Sequence, residues 1–205
     1  MSENFDSALT YTSYLAVDEL LKLQRPLSTG PEHDEMLFII IHQTKELWLK
    51  QIIRELQLAR SQIQNDALVP AYKALARVSR IQAVMTLSWD VLSTMTPSEY
   101  TRFRHVLGPS SGFQSDQFRT VEYLLGLKSS AFLKYQEDRP DAHAAMTDAL
   151  KNPSIWDDAI AALAYGELAH AQVLLGEEDA AIKTANNATK LLKQVEDAFI
   201  AEIGK

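Results

Sequence analysis

One stretch constrains the fold of this chain more than any other: His33-Asp34-Glu35-Met36-Leu37-Phe38-Ile39-Ile40-Ile41-His42-Gln43-Thr44-Lys45-Glu46-Leu47-Trp48. Six consecutive apolar residues, 36–41, lead into His42, and Trp48 follows between one and two helical turns later. A helix that is apolar all round sits in a core, so the expectation is a long helix over 32–64 with a buried centre. A histidine in such a place needs a partner, because an unpaired buried polar group is costly. His42 is therefore either a satisfied core histidine or a site residue.

The remaining segments read the same way. A polar start over 1–10 precedes a helical reading for 11–23, where Leu15, Leu20 and Leu21 alternate with Asp18 and Glu19. Arg25-Pro26-Leu27-Ser28-Thr29-Gly30-Pro31 breaks that helix twice over. A second long helix spans 70 to about 94, with Leu75, Val78, Ile81, Val84, Met85 and Trp89 at helical spacing. Thr96-Pro97-Ser98-Glu99 is a helix start: Thr96 caps, Pro97 suits the first turn and Glu99 completes a capping box. Gly108-Pro109-Ser110-Ser111-Gly112 ends that helix, and Phe113 to Arg119 opens another that closes near Gly126. Helical pieces follow over 130–150 around Arg139-Pro140, then over 153–163, 164–175 and 177–202, with breaks at Gly166 and Gly176. No alternating strand pattern appears, so the fold class is all-α, a single helical domain over 1–205 with an Ala-rich tail from 159.

Composition removes several functional classes. With no cysteine, disulfides, thiolate metal sites and cysteine nucleophiles are excluded, and a reducing compartment fits. A net charge of −7 argues against general nucleic-acid binding. No run approaches the ~18 apolar residues of a membrane span, and the N-terminus lacks a basic-then-apolar leader. The expectation is a cytoplasmic protein with no membrane and no nucleic-acid partner.

Three groupings have chemical potential. Phe38 and His42, four apart, share a helix face, so an aromatic wall lies beside an imidazole that can meet a ring N–H. Tyr100 and Arg104, also four apart, follow a capped helix start, and an arginine fork matches a carboxylate; the alternative is an exposed helix pair. The Gly108–Gly112 loop offers hydroxyls and backbone N–H groups to a polar ligand edge, or is an ordinary interhelix turn. It is no phosphate loop, because G-x-x-x-x-G-K-[ST] is missing. His33, Asp34 and Glu35 resemble a metal cluster only superficially: adjacent carboxylates point to different helix faces and there is no H-E-x-x-H. His105, His143 and His170 read as surface residues.

Three blocks, LTYTSYLAVDELL at 9–21, HDEMLFIIIHQTKELWLKQ at 33–51 and TMTPSEYTRFRHVLGPSSGFQSDQFRTVEYLLG at 94–126, together resemble the tryptophan 2,3-dioxygenase family in order and spacing. SSAFLKYQEDRPDAHAAMTDALKNPSIWDD extends the likeness to about 158, and Val195-Glu196-Asp197-Ala198-Phe199 aligns loosely beyond it. The resemblance implies a helical, dioxygenase-like core over 32–158. It also implies an arm over 1–30 exchanged between subunits of a homo-oligomer (tetramer or dimer), haem b as cofactor, and L-tryptophan and dioxygen as substrates. It implies His42 at the indole N–H, Phe38 packed on the ring, Arg104 on the substrate carboxylate with Tyr100 in support, and Tyr11, Tyr14 and Leu15 reaching a neighbour's pocket. Trp89 and Ser111 are implied to line the haem.

The same resemblance reads as C-terminally short. The family's proximal haem histidine lies just beyond the segment matching 195–199, and no histidine follows His170 here, so the metal ligand stays unassigned. Two further readings stand beside a dioxygenase that opens the indole ring to N-formylkynurenine. One is an impaired or haem-free relative that binds an aromatic amino acid or only assembles with other subunits. The other is a helical interaction module.

Overall fold

Among the described residues of the computed structural model, 9–30, 32–65 and 67–161, every regular element is helical, as the absence of strand alternation predicts. No helix among them is long and apolar enough to cross a membrane. His170 and the expected helices over 164–175 and 177–202 lie outside the described residues.

The apolar stretch forms α3 (His33–Gln64), 32 residues long, with Asp34 and Glu35 in the first turn, where acidic groups complement the helix dipole. The next helix, after two short N-terminal ones, is α4 (Leu68–Leu92). Its Pro70 falls in the first turn, where a missing N–H costs no hydrogen bond. Buried residues recur on α3 at Leu49, Ile52, Leu56, Ala59 and Ile63, and on α4 at Ala71, Ala74, Val78 and Ile81. Each series alternates steps of three and four, the apolar stripe of an amphipathic helix. The expectation of a helix buried all round is thereby corrected: Ile40 is 45% and Leu47 54% exposed. They lie off the stripe, so their apolar surface faces outward.

The chain divides into two compact units, Met1–Lys45 with Met85–Ser110, and Glu46–Val84 with Ser111–Lys205; α3 and α4 each run from one into the other. In the first unit the helix expected over 11–23 is two short ones, α1 (Tyr11–Leu15) and α2 (Val17–Leu20). The break is Ala16, left-handed at φ 50°, a conformation costing an L-residue roughly 1–2 kcal/mol. No glycine or asparagine marks that position, so the sequence carries no signal for it. α1 starts on a reciprocal cap between Thr10 and Ser13. α5 (Pro97–Arg104) starts as predicted: the Glu99 N–H donates to Thr96 Oγ1 at 3.3 Å and the Thr96 N–H to Glu99 Oε2 at 2.7 Å. These Thr96 donors hold the Glu99 carboxyl below its ordinary range.

The second unit contains α6 (Asp116–Leu124) and α7 (Pro140–Lys151), with 3-10 turns at Gly112–Gln114 and Ser130–Gln136. α6 and α7 close over a core of Tyr123, Met146 and Ala149, bordered by Phe132, Leu133 and Leu150. Tyr123 satisfies its buried hydroxyl by donating to the Ser129 carbonyl at 2.5 Å, and burial pushes its pKa up. Gly126, at φ 106°, makes the turn after α6; a side chain there would be strained and would meet Ser154 Oγ at 3.4 Å. The Lys128 ammonium donates to the Ala149 carbonyl at 2.9 Å and to that of Asn152, closing the end of α7. Arg60 on α3 pairs with Asp158 at 2.6 Å, and Arg77 on α4 with the buried Glu55 at 2.6 Å.

Candidate functional site

The first unit gathers four aromatic rings from α3 and α5. Phe38 and His42 stack with centroids 4.1 Å apart and planes 34° from parallel. Tyr100 lies 5.9 Å from Phe38, and Phe103 lies 5.6 Å from Phe38 and 5.5 Å from Tyr100, the latter pair edge to face. Centroid separations of 4.5–7 Å suit such rings, adding to the stabilisation from area burial. Phe103 is fully buried and anchors the group. Sequence reasoning passed over it, although its position three residues after Tyr100 on a capped helix places both on one face.

His42 combines both sequence readings. Its Nδ1 lies 2.7 Å from the Phe38 carbonyl oxygen, one turn back on the same helix. A carbonyl only accepts, so Nδ1 carries the proton, and in the neutral ring Nε2 is left with its lone pair. The histidine is satisfied at one nitrogen and is only half-buried. Its other nitrogen is an acceptor beside an aromatic wall.

Arg104 sits one turn after Tyr100, and its side chain is exposed. Its Nη1 donates to the Gly108 carbonyl at 2.9 Å, which ties the guanidinium to the start of the Gly-Pro-Ser-Ser-Gly loop. Among the described residues it forms no ion pair with an acidic side chain. Trp89 on α4 is 55% exposed, and the Lys45 ammonium lies over its ring, 2.9 Å from the centroid. Tyr11, Tyr14 and Leu15 occupy the exposed helix α1 and have no ring contact with the cluster.

Glu35 departs from any metal role. The side chain is 1% exposed and turns back on the preceding segment. Its carboxylate accepts the Leu27 N–H at 2.6 Å, the Ser28 N–H at 3.0 Å and the Ser28 hydroxyl. Burial alone would raise its pKa. The Leu27 and Ser28 donors, with a smaller contribution from the His105 charge, outweigh that and hold it below the ordinary value. A buried acid in the first turn of α3 thus pins the Pro26–Gly30 break.

Ser111 lies in the second unit, where it caps the Gly112–Gln114 turn: it accepts from the Phe113 N–H at 3.3 Å, and its own N–H donates to Gln114 Oε1 at 3.0 Å. That turn is held in place from below. The buried Gln136 donates to the Gln114 carbonyl at 2.6 Å, and Arg139 bridges Gln136 to Asp116. Arg119, buried and paired with Glu122 at 2.5 Å, lies 4.1 Å from the centre of the Phe132 ring and 5.6 Å from that of Phe113.

Comparison with known proteins matches the amino-acid sequence to one family. The family model for tryptophan 2,3-dioxygenase matches residues 2–194. A Caulobacter vibrioides protein of that name is 62% identical over 155 residues, covering 76% of this chain and 58% of the relative. A Bacillus thuringiensis (strain Al Hakam) protein of the same name is 49% identical over 189 residues, covering 89% of this chain and 67% of the relative. One from Cupriavidus necator is 48% identical over 161 residues, 78% of this chain and 54% of the relative. The chain therefore spans between about half and two thirds of the length of these relatives. With its all-α fold, and with a family match running almost from end to end, the chain belongs to the tryptophan 2,3-dioxygenase family.

Proposed function

We propose that this chain carries the substrate-binding side of a haem-dependent dioxygenase that opens the indole ring of L-tryptophan to N-formylkynurenine, using dioxygen. The observation that supports this best is His42: its Nδ1–H is committed to the Phe38 carbonyl, leaving Nε2 as an acceptor beside the Phe38 ring. An indole has one N–H donor and a flat apolar body, and this pair complements both.

Each residue then has a physical task. Phe38 offers a face for the indole. His42 Nε2 accepts the indole N–H and sets the rotation of the ring. Arg104 takes the substrate carboxylate, with the Tyr100 hydroxyl as a second donor; its tie to Gly108 pre-orients the fork and lowers the entropy cost of binding. Tyr11, Tyr14 and Leu15, exposed on α1, suit a neighbouring subunit's pocket in a homo-oligomer such as a tetramer.

The described residues fit haem b. Trp89, Leu87 and Val91 present exposed apolar surface on α4, and among the described residues the Lys45 ammonium over Trp89 has no hydrogen-bond acceptor. Trp89 would line a flat macrocycle with carboxylate edges; no residue is assigned as the axial ligand. When bound, haem supplies the iron that activates dioxygen, while the protein supplies orientation. The cysteine-free composition suits a cytoplasmic setting.

Absorption spectra after expression with a haem precursor test the reading. A Soret band that shifts on reduction and again on adding carbon monoxide is the expected result. A full chain that takes up no haem and retains tryptophan affinity would instead make it an aromatic-amino-acid binder. For the carboxylate role, Arg104→Ala should weaken tryptophan binding by about 1.5–3 kcal/mol, the worth of a hydrogen bond to a charged group. Tryptamine, which lacks the carboxylate, should bind wild type and variant alike in calorimetry. Equal losses for both ligands would remove Arg104 from carboxylate recognition.

A further inference from the structure

Phe38, His42 and Lys45 stand at i, i+4 and i+7 on α3, so they share one face, with Lys45 about 4.5 Å further along the axis than His42. Lys45 Nζ is buried and has no hydrogen-bond acceptor among the described residues. Among the described residues it lies over the Trp89 ring, 2.9 Å from the centroid. A ring face attracts a cation, but it satisfies none of the three N–H donors in the directional sense. Burial alone lowers the Lys45 pKa, the mark of a charge without compensation. Ammonium groups kept out of water are paired or hydrogen-bonded as a rule. Here the ammonium is held over the face of a half-exposed indole, on the helix face that also presents His42.

We propose that Lys45 binds a carboxylate on the flat ligand that docks beside Trp89. An anionic oxygen there would take the free N–H donors, while the ligand's apolar plane covers the exposed part of the indole. Charge and surface together select a planar aromatic or macrocyclic body with an acidic edge. The inference rests on the function proposed above, which offers two sources of such a group: a haem propionate and the amino acid's own carboxylate. Trp89 belongs to the implied haem wall and Arg104 already answers the amino acid, so the propionate is the source this arrangement favours.

The experiment titrates the full chain with haemin and with haemin dimethyl ester, followed by absorption, and with tryptophan and tryptamine by calorimetry. Wild type is compared with Lys45→Met and Lys45→Arg. Methionine keeps the length and can still lie against the indole, and thermal unfolding checks that both variants fold. Lys45→Met should weaken haemin binding about tenfold, the loss of one charge-assisted contact, leave the diester unchanged, and be rescued by arginine. If haemin is unaffected but tryptophan loses affinity and tryptamine does not, Lys45 still binds a carboxylate, that of the amino acid. Equal weakening of acid and ester, or no change for any ligand, overturns the proposal and leaves Lys45–Trp89 as a packing contact. A wild type that binds neither haemin nor tryptophan refutes the proposed function itself, and the inference with it.

Discussion

Replacing Glu35 by alanine destabilises the protein by about 3 kcal/mol at neutral pH, because two backbone N–H groups and a hydroxyl lose their acceptor in a buried place. The carboxylate cannot be exchanged for an amide without loss: in Glu35→Gln one of the two oxygens becomes an NH2 group facing a donor. The effect also has a pH signature. The folded carboxyl titrates below its ordinary value, so as pH falls the unfolded chain takes up the proton first. The contribution of Glu35 is therefore complete above the unfolded pKa, near 4.3, and is lost as pH drops through the folded value. Urea unfolding of the wild type should show stability falling steeply below about pH 4.5, and Glu35→Gln should flatten that fall. Parallel curves for the two proteins would mean that the carboxylate has no net role. Because Leu27 and Ser28 lie between the exposed α1–α2 arm and α3, the acid couples the path of the arm to the helix that presents Phe38 and His42.

Glu35 also illustrates where the sequence becomes silent. Apolar spacing locates α3 and α4 because burial of a stripe at 3.6-residue period is a local property of the chain. The Thr96–Glu99 cap is equally legible, since both partners lie within one turn. Glu35 reads in sequence as one of two adjacent carboxylates on different helix faces, a superficial metal cluster with His33. Its acceptor role depends on a Pro-Gly break folding back over the helix, and no local pattern encodes that reversal. Ala16 is similar: its left-handed backbone comes from the closing of α1, on a residue with no intrinsic preference for it. Lys45 covers a tryptophan 44 positions away in the sequence, a contact that no local pattern encodes. The aromatic pairing of Phe38 with His42 was visible at i, i+4, whereas its closure by Tyr100 and Phe103 required α5 to pack against α3. Spacing alone pairs Tyr100 with Arg104 at i, i+4, but the Arg104 tie to Gly108 is a product of the loop geometry.

The other large effect is at His42. On the proposed function, His42→Ala should reduce kcat for tryptophan about 10- to 100-fold, the consequence of about 1.4–2.8 kcal/mol of lost orientation at 1.4 kcal/mol per tenfold. Stability should change by no more than about 1 kcal/mol, since the ring is half-buried and its Nδ1 bonds a carbonyl already serving the helix. The two readings of His42 separate on this point, because a core histidine would cost several kcal/mol on truncation and leave any residual turnover proportional to folded protein. A methylated substrate sharpens the test. In 1-methyltryptophan the indole nitrogen has no proton to give, so the wild type should handle it poorly and His42→Ala should discriminate little between it and tryptophan. The difference of differences isolates the Nε2···H–N contact from the steric cost of the methyl group. If the variant keeps the full wild-type preference for tryptophan, the acceptor at Nε2 is not what orients the ring, and the Phe38–His42 pair is a packing unit of α3.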